Sequence, residues 1–499
     1  MSNYFAPAQL SILVHWLINV FNGNCATRIQ YGFTKSEDSH IGNNGESSED
    51  AENSVIDCKA MVEIEAKNES EKLKNRAMVE ANNDFAATLM KKLTGIKYIC
   101  ISPISISFAL ALSLAGAKGI TEAEIVKLLG KGCSLDEIEA FFVEIKTVFQ
   151  QLTKLEILHD ANRVYYDTTI EILETYKKKV TRLYGVDGYD MLDFRDSDGT
   201  AKKINSFVEE ITKGNLKDVI TANQVRGCKM ILLNAIDFRG KWERQFYSGS
   251  NIIKEFHLLD GTAKKTEMMT HDIKYMTRKC IPASNYFYCE NDEMQRICMR
   301  YKNFRLMEDG KSDNEKNVAE KTDVGEISMY IFLPRACKGL PKLLENLNGE
   351  KLLKWLRMKP LEDYRRIFPT ICDVQYKLDI EIPKFTTRSD IKLNETLEKL
   401  GLGHYFKQSA DFSGVSNVSL YADSFIHKTY IKADELGTEA SAVSYVTFKA
   451  CGYYQRIPVK VIRKEFHADH PFLYAIVSRK QHVLFIGTVT DVEEKSETE

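Results

Sequence analysis

The sequence predicts an α+β fold, because three patterns occupy different parts of the chain. Helical periodicities run from residue 79 to about 220, strand-rich segments follow from Met230, and residues 431–451 alternate with period two. In that last stretch Thr438, Ala440, Ala442, Ser444, Val446, Phe448 and Ala450 share one face, and Glu439, Ser441, Val443, Tyr445, Thr447 and Lys449 share the other. Every charge falls on the second face and no proline interrupts the run. The segment can therefore serve as a central strand with one buried face. Its wealth of small residues also suits a mobile loop.

The first 78 residues stand apart. Leu10 to Phe21 is an apolar run too short to span a bilayer, which needs about 20 residues. It resembles the apolar core of a secretory signal, with Gly23-Asn24-Cys25 as the cleavage zone, although no Lys or Arg precedes it. Secretion is the expectation, and a cytoplasmic location the alternative. Residues 35–72 are acidic and rich in Ser and Asn, the composition of a solvated extension. The folded region is expected over 79–491, with an acidic tail over 492–499.

Within that region Glu80 to Leu93 is an amphipathic helix. Ser102-Pro103-Ile104-Ser105 caps a strongly apolar second helix that runs through Gly116. Ser134 caps a third through Gln151, with Asp136 and Glu137 in its first turn. Ile204 to Ile220 reads as a helix stopped by Gly214. Strands follow at Met230 to Trp242, Met329 to Pro334 and Ile380 to Phe385. Residues 307–325 and 357–377 read as surface insertions.

Composition excludes several classes of function. With 499 residues, 44% of them hydrophobic, the chain can build a large core, and a net charge of −2 argues against a general polyanion binder. The run Lys177-Lys178-Lys179 is best read as a solvated helix face. Nucleic acid is not an expected partner. The eleven cysteines are odd in number and lack CxxC pairs, which speaks against a disulfide framework and a zinc site. The nine-residue spacing of Cys280, Cys289 and Cys298 fits no metal geometry, and His467 and His470 lack further ligands. GxSxG, P-loop, HExxH and GxGxxG motifs are absent, and Cys451 has no neighbouring base to activate it. No enzyme, cofactor or metal is expected.

One motif gives the chain a family resemblance. Glu435-Leu436-Gly437-Thr438-Glu439-Ala440-Ser441-Ala442 resembles the hinge of the serpin protease inhibitors: Glu, a variable residue, Gly, Thr or Ser, Glu, then small residues. The resemblance extends through Ser-Pro-x-Ser at Ser102 to Ser105, Met230 to Trp242, Asp411-Phe412-Ser413-Gly414 and Phe466 to Phe472. It implies one large, mostly antiparallel central sheet with further sheets, eight to nine helices and an exposed reactive-centre loop. It also implies that the helix around Asn205 and Gly214 lies across the front of the main sheet. A shutter under that sheet would comprise Asn234, His427, Ser102 and Ser105, with Trp242 at the breach where the loop inserts.

The resemblance implies a suicide inhibitor of serine, or papain-like cysteine, endopeptidases that acts as a monomer without a transmembrane span. A protease would cleave the loop, and insertion of the freed segment as an extra strand would trap the acyl-enzyme. Hinge register puts the scissile bond between Cys451 and Gly452; Lys449, Tyr453, Tyr454 and Arg456 are alternatives. Two residues depart from the pattern, Tyr98 in place of a shutter asparagine and Leu436 in place of a polar hinge residue. A non-inhibitory carrier, chaperone or storage role is the alternative reading.

Overall fold

The computed structural model describes residues 76–93, 99–184, 189–271, 281–282, 286–302, 326–359, 374–438, 460–479 and 481–495. All belong to one compact unit, Asn68–Glu499. The N-terminal extension to residue 75, Tyr98, most of both predicted insertions, and 439–459 with every candidate scissile residue lie outside the described residues.

Helix boundaries follow local chemistry. Residues 76–92 form the first helix. The second, Pro103–Leu114, starts where Ser102 Oγ accepts from the Ser105 amide at 3.4 Å, and all its residues are buried. A helix apolar on every side belongs in a core. Leu135–Lys154 opens with a full capping box between Ser134 and Glu137. The helix predicted over 204–220 instead spans Ser197–Ile211. Its start is set by Asp196, whose carboxylate accepts from the Gly199 amide at 2.9 Å. Its stop is the left-handed pair Lys213 (φ 49°) and Gly214 (φ 85°), so Gly214 terminates the helix as expected, but three residues beyond Ile211. The described residues hold ten helices, the first and nine more from Pro103–Leu114 to Asn394–Lys399. The surplus over the expected number is made of short pieces such as Ala222–Val225.

Three sheets organise the strands, in an α+β arrangement. The main sheet runs in the order Phe385–Lys392, Ser424–Ala433, Met230–Phe238, Arg163–Asp167, Tyr189–Leu192, with Leu158–Asp160 also on Met230–Phe238. A second sheet of six strands, Ile99–Ile101 to Cys289–Glu290, is antiparallel throughout. The third contains Lys460–His467 paired in parallel with Val374–Pro383.

Met230–Phe238 is buried along its whole length. Its alternation divides it between two apolar clusters. Met230, Leu232, Ile236 and Phe238 join the large core behind the sheet. Ile231, Leu233 and Ala235 pack with Ile204 and Val208 of helix Ser197–Ile211. That helix therefore covers the front of the main sheet, as the resemblance implied.

Candidate functional site

The centre of the main sheet holds a seam. Ser424–Ala433 and Met230–Phe238 are neighbours and run parallel, paired from Ser424 with Ile231 to Tyr430 with Asp237. Parallel ladders are slightly weaker per residue than antiparallel ones. A chain that leaves Ala433, turns and comes back along Ser424–Ala433 would be antiparallel to both strands.

A hydrogen-bonded cluster spans the back of this seam. His427 and Asn234 are register partners on the two strands. The Ser102 amide donates to His427 Nε2 at 3.1 Å, so the ring proton sits on Nδ1 and is donated to Asn234 Oδ1. Asn234 Nδ2 donates to Ser105 Oγ at 2.7 Å and to Asn162 Oδ1 at 2.6 Å. His427, Asn234, Ser102 and Ser105 are 0% exposed, and burial pushes the imidazole down to about 3, so it is neutral. The structure brings all four predicted shutter residues together. Asn162 is a further member that the sequence did not single out.

The top of the seam is built around Trp242. Its ring stacks on Tyr301 at 4.5 Å, and its Nε1–H donates to the Asp434 carbonyl at 2.8 Å. The Trp242 backbone amide and Gln245 Nε2 both donate to the Leu436 carbonyl, at 2.9 and 3.3 Å. The Asp434 carboxylate accepts from the amides of Leu436 and Gly437 at 3.0 and 3.3 Å, which shapes the turn out of the strand. Gly437 adopts φ 151°, and a Cβ there would lie 2.1 Å from the Gly240 carbonyl oxygen, so only glycine fits. Glu435 pairs with Lys384 at 2.6 Å and accepts from Asn251. Burial opposes ionisation of Glu435, but Lys384 and Asn251 outweigh it and hold its carboxyl below the usual range.

Beyond the turn, strand-like pairing already begins on both sides. Thr438 bridges Ala433 and Gly437 bridges Lys241, each antiparallel, and the Thr438 amide donates to the Gly240 carbonyl. The Thr438 hydroxyl is fully buried and bonds Tyr301 at 2.9 Å. Glu435, Gly437, Thr438 and Trp242 thus converge as expected, whereas Glu439, Ala440, Ser441 and Ala442 lie outside the described residues. Lys384, Asn251, Tyr301 and Asp434 were missed. Only Asp434 carried a local signal, an Asp that precedes a Gly by three residues at a strand end.

Elsewhere the candidate ligands have ordinary roles. His470 lies between two acceptors, with Nδ1 2.7 Å from the Asp469 carboxylate and Nε2 2.8 Å from the Pro334 carbonyl. No group of three His, Cys, Asp or Glu among the described residues could hold a metal. No helix among them is long and apolar enough to cross a membrane.

The chain is similar to known proteins. A family model described as Serpin (serine protease inhibitor) matches residues 80–492. Serpin B10 of Bos taurus is 28% identical over 438 residues, covering 82% of this chain and 98% of the relative. Leukocyte elastase inhibitor A of Mus musculus is 29% identical over 425 residues, covering 82% and 98%. Among solved structures, Serpin48 of the insect Tenebrio molitor superposes with a TM-score of 0.62 at 23% identity, covering 84% of this chain and 99% of that one. Uncleaved ovalbumin gives 0.64 at 24%, covering 83% and 100%. With a match that spans most of its length and a seam, shutter and hinge of this form, the chain belongs to the serpin family of serine protease inhibitors.

Proposed function

We propose that the chain inhibits endopeptidases by trapping the acyl-enzyme. The observation that carries this reading is the parallel seam with Gly437 and Thr438 already bridged to its two sides. A protease would attack the loop within 439–459 and form its covalent acyl-enzyme with the residue before the scissile bond. Cleavage releases the loop's amino-terminal part. Stepping on from the bridge between Thr438 and Ala433, the freed segment would set Ala440 against Ile431, Ala442 against Thr429 and Ser444 against His427. Those positions point to the core, and the small side chains opposite them suit it.

Insertion exchanges one parallel ladder for two antiparallel ones. About a dozen new hydrogen bonds at about 1 kcal/mol each, with added apolar burial, favour it by on the order of 10 kcal/mol. When insertion outruns deacylation the protease is carried away with its ester intact, and when it does not the chain is merely a substrate.

The Cys451–Gly452 bond is the proposed cleavage site, on hinge register. A serine protease is the proposed target, and a papain-like enzyme the second choice. The relatives named leukocyte elastase inhibitor support inhibition as the role. The six described cysteines are all free thiols, four of them buried, which favours the cytoplasmic alternative over secretion.

The test is to incubate the protein with trypsin-like, chymotrypsin-like, elastase-like and papain-like proteases, run denaturing gels and weigh the released carboxy-terminal peptide. An adduct that survives denaturation is expected, and the peptide mass locates the bond. Clean cleavage by every protease with no adduct would overturn trapping in favour of a non-inhibitory serpin.

A further inference from the structure

We propose that the cleft between the third sheet and the edge of the main sheet binds a small multivalent anion, one that carries two or more phosphate or carboxylate groups. The cleft has a volume of about 390 Å³ and borders the hinge at Ala433 and Asp434. One wall comes from Thr266 and Glu267 of strand Ala263–Thr270 in the third sheet. The other comes from strands Phe385–Lys392 and Ser424–Ala433 of the main sheet. A site of this kind does not depend on loop insertion.

Register places its cations. Arg388 lies opposite Tyr430 and Thr386 opposite Lys432, so the four side chains share one face and Arg388 is the diagonal neighbour of Lys432. Tyr430 packs in the front cluster, which makes this the front face of the sheet. The Arg388 guanidinium is held over the Tyr430 ring, 5.3 Å from its centroid. Both cations are exposed, and neither closes an ion pair among the described residues. One step along the same two strands the arrangement differs, because Lys428 pairs with its register partner Asp390 at 2.6 Å. Like charges on neighbouring positions repel, and an anion between Arg388 and Lys432 would relieve that repulsion.

The cleft's own carboxylates do not fill that place. Glu267 is shared by Lys384 at 3.1 Å, Lys495 at 3.4 Å and Asn251 Nδ2 at 2.7 Å. Asp434 turns its carboxylate to the amides of Leu436 and Gly437. Glu493, the third, is exposed and forms no ion pair among the described residues, so it opposes an incoming anion. Diagonal neighbours on a sheet stand about 7–8 Å apart, a separation that suits two linked anionic groups. Thr386, beside both cations, adds a hydroxyl donor.

The experiment is isothermal titration calorimetry of the full chain with pyrophosphate and, separately, with citrate. Both should bind, with affinity that falls as salt rises, and the tighter of the two assigns phosphate or carboxylate as the preferred group. Arg388→Ala and Lys432→Ala should each weaken binding about tenfold, the loss of one charge-assisted contact. Arg388→Lys should recover part of that loss. Glu493→Gln should tighten binding. Lys392→Ala removes an exposed cation on the same strand outside the cleft and should leave the affinity unchanged. Both cleft cations are exposed, so their replacement leaves the core intact. Parental affinity in the Arg388→Ala, Lys432→Ala double variant, or an equal loss from Lys392→Ala, would mean non-specific attraction and overturn the site. Failure of both anions to bind the parent at millimolar concentration would overturn it as well.

Discussion

Lowering the pH should unlock the shutter through His427. Its ring is fully buried, and Nε2 accepts from the Ser102 amide. A proton added there would point at another N–H, so the folded state resists protonation. The imidazole sits at about 3 against an ordinary 6.5, and burial is the cause. A folded value below the unfolded one means that the unfolded chain takes up the proton first. The contribution is complete above about pH 6.5 and drains away as pH falls toward 3. Between pH 7.5 and 5.0 the unfolded imidazole titrates by about 1.5 logarithmic units and the folded one hardly at all, a loss of about 2 kcal/mol. Urea unfolding of the parent and of His427→Gln at both pH values isolates this from other titrating groups. The parent should lose about 2 kcal/mol more than the variant. Equal losses would refute the buried, neutral histidine on which the shutter geometry depends.

Three further outcomes are expected. Trp242→Phe removes the indole donor from the Asp434 carbonyl and part of the Tyr301 stack, and should cost about 1–3 kcal/mol in urea unfolding. Gly437→Ala forces a side chain onto the Gly240 carbonyl, and should lower the thermal midpoint with a loss of about 2 kcal/mol or more. Thr438→Arg puts a charge in a fully buried site against Tyr301; in the protease assay it should convert adduct into cleaved product, and an unchanged adduct yield would count against insertion from this point.

The sequence shows local structure where the signal is itself local. Ser134 with Glu137, and Ser102 with Pro103, announce their helices because caps act within three residues. The first turn of helix Ser197–Ile211 was hidden because Ser-Asp-Gly-Thr has the composition of a loop. Its helical state depends on Asp196 closing over Gly199, where a Cβ would meet the carboxylate at 2.0 Å, and on Thr200 bonding the Asp193 carbonyl at 2.7 Å. The site divides in the same way. Glu435 to Thr438 read as a hinge because they are contiguous. Asn162, Asn251 and Lys384 do not, because each acquires its role from a partner far along the chain: Asn162 meets Asn234 across 72 positions and Asn251 meets Glu435 across 184. Shutter residues 102, 105, 234 and 427 were legible only through family resemblance, since a buried His or Asn in isolation reads as a satisfied core residue.

The loop region leaves from one sheet and returns to another. Its near end is fixed at Thr438 in the main sheet, and the strand beyond its far end, Lys460–His467, lies in parallel register along Val374–Pro383 in the third sheet. If the loop inserts as proposed, this second attachment would act as a tether while the chain is continuous, limiting how far the first few inserted residues could draw the rest behind them. One broken peptide bond would remove the tether. On the trapping reading an inhibitor of this design would be spent in a single encounter, so the protection it gave would be set by the number of molecules present and the rate of their replacement, and not by a reversible affinity.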